Sequence, residues 1–329
     1  MTKLYLIRHA EAEGNIYRRA HGHYNGQITG RGYLQIEQLC DRFADEKLDA
    51  VYSSDLTRAR VTATALAESQ GLPLNITDRL REVSVGIWED LSWAEIAFTD
   101  PEMSVYFRND PARWDIPCAE NYENLCARIT GVITEIAENH TGGTVAMISH
   151  GVAIRAFTCE VLGIQSHMVG ENAVHIDNTS VMFLTYDNGK FTIEYSGDNS
   201  HLSEELSTLA GQKWWRDGSD MELRYIPNSQ PGSFAAICGD NRVGTIAITK
   251  VDGDAGLLKK IYLEPEFRQK GIAIQLLGQA VSEARKLNLK KLRIQVEQGS
   301  PAEKFCLKYG FVPSADGFLE KDISQKQWD

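Results

Sequence analysis

Two histidines stand where chemistry on a phosphoryl group would need them. Arg8-His9 closes a short apolar run, residues 3–8, that reads as a β-strand, and Ser149-His150-Gly151 closes another, residues 143–149. In an open α/β sheet ligands gather beyond the carboxyl ends of the strands, so two strand-end histidines suit one pocket. A phosphoryl group needs cations and N–H donors around its oxygens, and the planar fork of arginine meets it best. Arg8 is one such donor. Arg58, in the first turn of a helix expected after Ser53-Ser54-Asp55, is a second. A lone strand-end histidine is more often a hydrogen-bonded structural residue; the recurrence in strand-end order is what points to catalysis. A second constellation, Arg268-Gln269-Lys270-Gly271-Ile272-Ala273, follows a strand and opens a helix. Backbone N–H groups at a helix N-terminus bind phosphate, and glycine lets the backbone come close. His21-Gly22-His23 offers two imidazoles to a metal, but no third ligand is evident, and a loop with hydrogen-bonded rings is the expected reading. His167, His175 and His201 receive no role.

The elements that must position these groups alternate. Strands are expected at 3–8, 50–54, 74–77, 143–149, 174–184 and 191–195, the last two joined by the hairpin signal Asp187-Asn188-Gly189. Helices are expected at 33–44, 57–69, 122–139 and 152–162, with a short one at 93–98 in an otherwise irregular stretch, 84–120. Such alternation argues for an α/β layer with a largely parallel sheet. A second unit begins near Leu209. Strands are expected at 221–226, 233–238, 243–251, 257–263 and 291–296, and helices at 272–287 and 302–309. Trp214-Trp215 reads as a hydrophobic seam between domains.

Composition agrees with two units. The chain has 329 residues, 43% hydrophobic and 24% charged, which suits a two-domain globular protein. No apolar run approaches the ~20 residues that cross a bilayer. The first residues lack a signal peptide's apolar region and cleavage site. The six cysteines form no CxxC pair, which fits a reducing cytoplasmic setting without disulfides or structural zinc. The net charge of −11 is unevenly placed: residues 1–210 hold 16 Lys and Arg against 30 Asp and Glu, or −14, and residues 211–329 hold 18 against 15, or +3. The acidic part is a poor electrostatic partner for nucleic acid.

Residues 3–200 resemble the histidine phosphatase superfamily, the phosphoglycerate mutase-like fold. The resemblance rests on five segments in order. These are Arg8-His9-Ala10-Glu11-Ala12-Glu13-Gly14-Asn15; His21-Gly22 with Ile28-Thr29, Gly32 and Gln35; Ser53-Ser54-Asp55-Leu56-Thr57-Arg58-Ala59-Arg60; Leu80-Arg81-Glu82 with Gly86 and Trp88-Glu89; and Ile148-Ser149-His150-Gly151. It implies a phosphohistidine mechanism in which His9 attacks phosphorus. Arg8, Arg58 and His150 would clamp the non-bridging oxygens, with Asn15 donating to the same group. Glu82 would protonate the leaving oxygen and then deprotonate water. The cationic clamp would do a metal's work, so no metal is expected. Arg60 should point away and be structural. His21, Gly22 and Glu120 would belong to the substrate pocket. Ala10 replaces the family's usual Gly, tolerable where φ is negative. Cys118-Ala119-Glu120-Asn121 replaces a Gly-Glu-Ser type of triplet and weakens any substrate inference.

Residues 221–322 resemble the GNAT acetyltransferase family. Arg268, Gln269, Lys270, Gly271, Ile272 and Ala273 match its pyrophosphate loop for acetyl-CoA, and Leu263 would sit on the strand that meets the pantetheine. Cys306 stands where members commonly carry a Tyr that protonates the leaving thiolate. The segment before Ser233 is short for the helices that usually shape the acceptor pocket.

The expected architecture is therefore a three-layer α/β/α phosphoglycerate mutase-like domain, residues 1–208, followed by a smaller α+β GNAT-like domain, residues 209–329. The expected activity is a cytoplasmic, metal-independent phosphomonoester phosphatase acting on a small phosphorylated metabolite. The second domain would bind acetyl-CoA and act on an amine acceptor. The rivals are a mutase, an acetyltransferase whose first domain recognises a phosphorylated acceptor, and a phosphometabolite-binding regulator. In the remaining reading the second domain is degenerate and packs on the first or forms a homodimer. Neither nucleic acid nor membrane is an expected partner.

Overall fold

A computed structural model describes residues 1–172, 176–211, 222–251 and 253–325. His175, Trp214, Trp215 and the expected strand start at Met221 lie outside the described residues. The chain forms two compact units. The first comprises residues 1–12, 21–89 and 99–211, and the second residues 13–20, 90–98 and 212–329. No described helix is long and apolar enough to cross a membrane.

The sheet of the first unit runs β3-β2-β4-β1-β5-β6. Its strands are β1 (Thr2–Arg8), β2 (Ala50–Ser53), β3 (Leu74–Ile76), β4 (Thr144–Ser149), β5 (Val181–Asp187) and β6 (Lys190–Asp198). β3, β2, β4 and β1 are parallel, with Arg8 paired to Ser149 at the shared carboxyl edge, and β5 and β6 add an antiparallel hairpin. Asn188 and Gly189 both have positive φ, as a two-residue hairpin turn requires. Tyr5 and Ile7 on one face of β1 bury against Leu39 of α2 (Gly30–Arg42), Phe43 just past its end, and Ala59, Ala63 and Leu66 of α3 (Thr57–Ser69), while α6 (Tyr122–Asn139) and α7 (Gly151–Leu162) also contact β1. Helices on both faces of a mostly parallel sheet define the three-layer α/β/α architecture.

Several elements differ from their sequence reading. β5 starts at Val181, because Asp177-Asn178-Thr179-Ser180 forms a turn with Thr179 at φ 56° and Ser180 N–H bonded to the Asp177 carbonyl at 3.2 Å. α5 (Pro101–Asn109) occupies part of the stretch read as irregular, and Pro at its start has a φ already suited to a helix. α1 (Glu13–Tyr17), α4 (Trp93–Thr99), α8 (Val169–Asn172) and α9 (Thr208–Gly211) are short.

The second unit holds a seven-stranded sheet, β12-β13-β11-β10-β9-β8-β7. Its elements are β7 (Arg224–Pro227), β8 (Ser233–Cys238), β9 (Asn241–Lys250), β10 (Ala255–Leu263), α10 (Ala273–Lys286), β11 (Lys291–Ile294), α11 (Pro301–Lys308), β12 (Val312–Pro313) and β13 (Leu319–Asp322). The α10 face of Leu277, Ala280, Val281 and Ala284 joins Leu292, Phe311 and Ile323 in its core. Segments 13–20 and 90–98 belong here: Arg19, 5% exposed, donates to Asp90 Oδ1, Gln279 Oε1 and Ser282 Oγ at 2.8, 2.7 and 3.0 Å. Gly278 leaves no room for a Cβ beside Tyr17, which would lie 2.5 Å away.

Candidate active site

The carboxyl edge of the first sheet brings His9, Arg58 and His150 into one buried cluster. Parallel strands β1 and β4 end side by side, so the His9 and His150 rings sit 5.1 Å apart by centroid. α3 begins just past β2 and carries Arg58 in its first turn, with the guanidinium 1% exposed. Arg58 Nε donates to His9 Nε2 at 3.3 Å, and its two terminal nitrogens donate to the carbonyls of Tyr24 (3.1 Å) and Gly22 (2.8 Å). Those carbonyls lock the fork in place, so its aim is set before any substrate arrives. Arg8 donates to the Ile176 carbonyl at 2.5 Å and lies against Gly151, where an added Cβ would meet Arg8 Nε at 3.4 Å.

The tautomer of His9 follows from its neighbours. His9 Nδ1 is 2.7 Å from the Ala10 carbonyl, which can only accept, so Nδ1 carries the proton. Nε2 is left with its lone pair, facing the Arg58 guanidinium. Burial first, and then the Arg58 and Arg8 charges, hold the His9 pKa well below the ordinary histidine value of 6.5. His9 is therefore a neutral imidazole near pH 7, with an unprotonated Nε2 that accepts from Arg58 Nε. His150 is pushed down in the same direction, again mainly by burial and then by Arg58, and neither of its ring nitrogens has a hydrogen-bond partner among the described residues. Burial also lowers Arg58, to about 10, which leaves it charged near neutrality. Ala10 is not among the residues with positive φ, so its methyl group brings no backbone strain at the position where the family usually has glycine.

Glu82 is seated at the amino end of α7, the helix that His150-Gly151 opens. Its Oε1 accepts from Ala153 N–H at 2.9 Å and Val83 N–H at 3.0 Å, and its Oε2 from Val152 N–H at 3.0 Å. The same peptide amides that follow His150 therefore hold the carboxylate. His23 Nε2 lies 2.9 Å from the Glu82 carbonyl, so this ring serves the Glu82 backbone. Gly22 stands at φ 49° against Glu89, whose Oε1 accepts from His23 N–H at 2.9 Å. His21 lies in the same loop. Arg60 is half-buried, two residues along α3 from Arg58. Asn15 lies on α1, a segment of the second compact unit. Glu120 has both carboxylate oxygens on Arg128, at 2.7 and 2.6 Å. Arg128 went unnoticed in the sequence, where it is one of many helical arginines; only its fixed distance from Glu120 could have marked it.

In the second unit the 268–273 segment forms the turn into α10. Gln269 and Gly271 have φ of 60° and 75°, and no side chain caps the helix start. Arg268 Nε donates to the Leu263 carbonyl at 2.9 Å, tying the turn to the end of β10. β10 pairs with β11 only through Ala255, Gly256 and Leu257, and a bulge follows between Leu258 and Lys260. Its end, with Leu263, therefore has no β11 partner. Uncapped amides beside Arg268 and Lys270, next to an unpaired strand edge, fit the pyrophosphate and pantetheine of acetyl-CoA. Cys306 does not fit a proton donor. It is 2% exposed in the core with Leu277, Val281 and Phe311, and burial raises its pKa to about 11.

Residues 4–199 match the model of the histidine phosphatase superfamily (branch 1), and the chain belongs to that family. Residues 200–311 match the model of the acetyltransferase (GNAT) family. Phosphoserine phosphatase 1 of Hydrogenobacter thermophilus is 32% identical over 164 residues, covering 50% of this chain and 78% of that protein. Phosphoglycerate mutase-like protein 4 of Arabidopsis thaliana is 32% identical over 207 residues, covering 62% and 88%. Among solved structures, YhfR of Bacillus stearothermophilus aligns with a TM-score of 0.59 at 28% identity, covering 62% of this chain and all of the other.

Proposed function

We propose that the chain hydrolyses small phosphomonoesters through a phosphohistidine on His9. The observation that carries this reading is the His9 tautomer: Nδ1 is bound to the Ala10 carbonyl, and Nε2 keeps an unprotonated lone pair that accepts from Arg58 Nε. His9 Nε2 attacks phosphorus, and the bond from phosphorus to the leaving oxygen breaks. Arg8 and Arg58, with a neutral His150 donating its ring N–H, balance the charge that builds on the non-bridging oxygens. Asn15 is assigned to the same group by family resemblance. A protonated Glu82 gives its proton to the leaving oxygen, so the alcohol departs neutral. Glu82, now a carboxylate, takes a proton from water as that water attacks the phosphohistidine. Inorganic phosphate leaves, and His9 and Glu82 return to their starting states.

Water is the proposed acceptor because a relative carries the name phosphoserine phosphatase. That name also makes phosphoserine the first substrate to try. The clamp is built of protein cations, so activity should persist in EDTA. Phosphate release from an aryl phosphate by the full chain should fall on the order of 10⁴-fold or more in His9→Ala, a loss of the size seen when a nucleophile is removed. Activity that survives this change would overturn the mechanism.

For the second domain the proposal is acetyl-CoA binding at Arg268, Gln269, Lys270, Gly271, Ile272 and Ala273, with Leu263 at the strand edge. The bound thioester would supply an activated acetyl group for an amine. The burial of Cys306 favours binding over efficient transfer, because no proton donor is exposed at that position. Calorimetric titration with acetyl-CoA tests this: no heat at millimolar ligand would leave a degenerate domain.

A further inference from the structure

Arg128 makes an unusually complete set of bonds. The side chain projects from the second turn of α6. Its Nε donates to Glu120 Oε1 at 2.7 Å, and Nη2 donates to Glu120 Oε2 at 2.6 Å and to the Glu82 carbonyl at 3.3 Å. Its Nη1 donates to the carbonyls of Arg79 at 2.9 Å and Arg81 at 3.0 Å. A guanidinium has five N–H groups, and all five are spent here. Three of the five acceptors are main-chain carbonyls within four consecutive residues, and the last belongs to Glu82.

The segment 79–82 leaves a short 3-10 turn (Asp78–Leu80) and joins no sheet. Its other carbonyl, on Leu80, accepts from Ser149 Oγ at 2.8 Å. His23 Nε2 also lies on the Glu82 carbonyl and Thr77 Oγ1 accepts from Arg79 N–H, so side chains fix where this ribbon lies, and Arg128 alone binds three of its four carbonyls. Glu120 completes the arrangement. It is set by a bond from its N–H to the Ser84 carbonyl at 3.0 Å and precedes Asn121, the cap of α6. Remove Arg128, and a part-buried carboxylate is left among carbonyl oxygens with no donor. Remove the Glu120 charge, and the fork loses its anchor. Lysine cannot substitute, because one ammonium offers three N–H groups and no planar fork.

We propose that Arg128 is the positioning residue of the general acid: held by Glu120, it fixes the backbone of 79–82 and so the place from which the Glu82 carboxyl delivers its proton. This rests on the reading of Glu82 as the acid. Arg128 itself touches no substrate, since none of its N–H groups is left to do so.

The test uses the full chain and a series of phosphomonoesters whose leaving groups run from nitrophenol to simple alcohols. A merely structural arginine would slow all of them alike. Arg128→Gln should instead lower kcat for alkyl phosphates by about 10- to 100-fold, out of the ~10²–10⁴ that an acid supplies, and leave nitrophenyl phosphate within about twofold. The dependence of kcat on leaving-group pKa should steepen toward that of Glu82→Gln. In the Glu82→Gln background, adding Arg128→Gln should change nothing further. Arg128→Lys should recover only part of the alkyl activity, and Glu120→Gln should show the same leaving-group bias in weaker form. An unchanged leaving-group dependence, or an equal loss in the Glu82→Gln background, overturns the proposal. Amide hydrogen exchange tests the holding separately from catalysis. Arg128→Gln should speed exchange in the peptide covering 79–84 and spare β4, and unaltered exchange there overturns the proposal too. Wild-type protein that cleaves no phosphomonoester would sink the phosphatase reading, while the exchange result would still decide whether Arg128 holds the ribbon.

Discussion

The two sites of this chain are built from different material. In the first unit the groups that would touch a phosphoryl oxygen are side chains, gathered from the ends of β1 and β4 and the first turn of α3, and they are buried and pre-aimed. In the second, the groups that would touch a pyrophosphate are mainly backbone amides, presented by a turn with two positive φ values and an uncapped helix. A side-chain site stores its specificity in residue identity, and changing one group removes a charge or a nucleophile. A backbone site stores it in conformation, and most side-chain changes leave it intact. The −14 and +3 halves of the sequence fit this contrast. The first site concentrates cations within an acidic unit and must rely on local geometry, since long-range steering would oppose an anion.

Three measurements would break or sharpen the contrast. The largest effect is expected for Arg58→Ala, which removes a locked fork: kcat for phosphate release should fall by about 10²–10³-fold, with acetyl-CoA affinity untouched. A change confined to KM would mean that Arg58 binds the ground state alone. Next, Gly271→Val forces a β-branched residue into φ 75° and should weaken acetyl-CoA binding by about tenfold in a titration, given the ~1–3 kcal/mol such strain costs. Lys270→Ala should do less, because the amides remain. Equal losses would show that side chains dominate there as well.

The third effect is on stability rather than on activity or binding. All eight histidines lie at or before residue 201, and among those described His9, His150 and His201 have lowered pKa values, His201 to about 4. Burial is the first cause in each. These rings are neutral when folded and take up protons when unfolded once the pH falls below 6.5. The unfolded state then binds more protons, so stability is full above pH 6.5 and is lost as pH falls below it. Each proton contributes a slope of up to about 1.4 kcal/mol per pH unit. Calorimetric scans from pH 7.5 to 5 should shift the transition of the first unit and leave that of the second nearly fixed. A common shift of both would contradict this assignment of acid sensitivity.

The sequence was most readable where chemistry requires particular residues at strand ends. Arg8, His9, Arg58 and His150 could be gathered from order alone, and the helices at Thr57–Ser69 and Tyr122–Asn139 have the expected bounds. Reading failed where local polar bonds compete with propensity. The β-prone stretch expected to start a strand at 174 gives way at Asp177–Ser180 to a turn that bonds back to the His9 and Arg8 carbonyls, through Asn178 Nδ2 at 2.9 Å and Thr179 N–H at 3.0 Å. That turn is part of the site's framework, and nothing in its composition says so. Arg128 was illegible for a related reason: three of its acceptors are carbonyls, which every residue has. α5 was missed within the stretch read as irregular, although Asp100-Pro101 is an ordinary way to begin a helix.

The division of the chain into compact units does not follow a single cut along the sequence. The first unit is interrupted twice before the chain finally leaves it after residue 211, once a few residues past His9 and once past the loop that holds Glu82, and residues 13–20 and 90–98 go to the other unit. A gene fragment stopping at residue 211 would encode both of those segments without the rest of the unit that claims them.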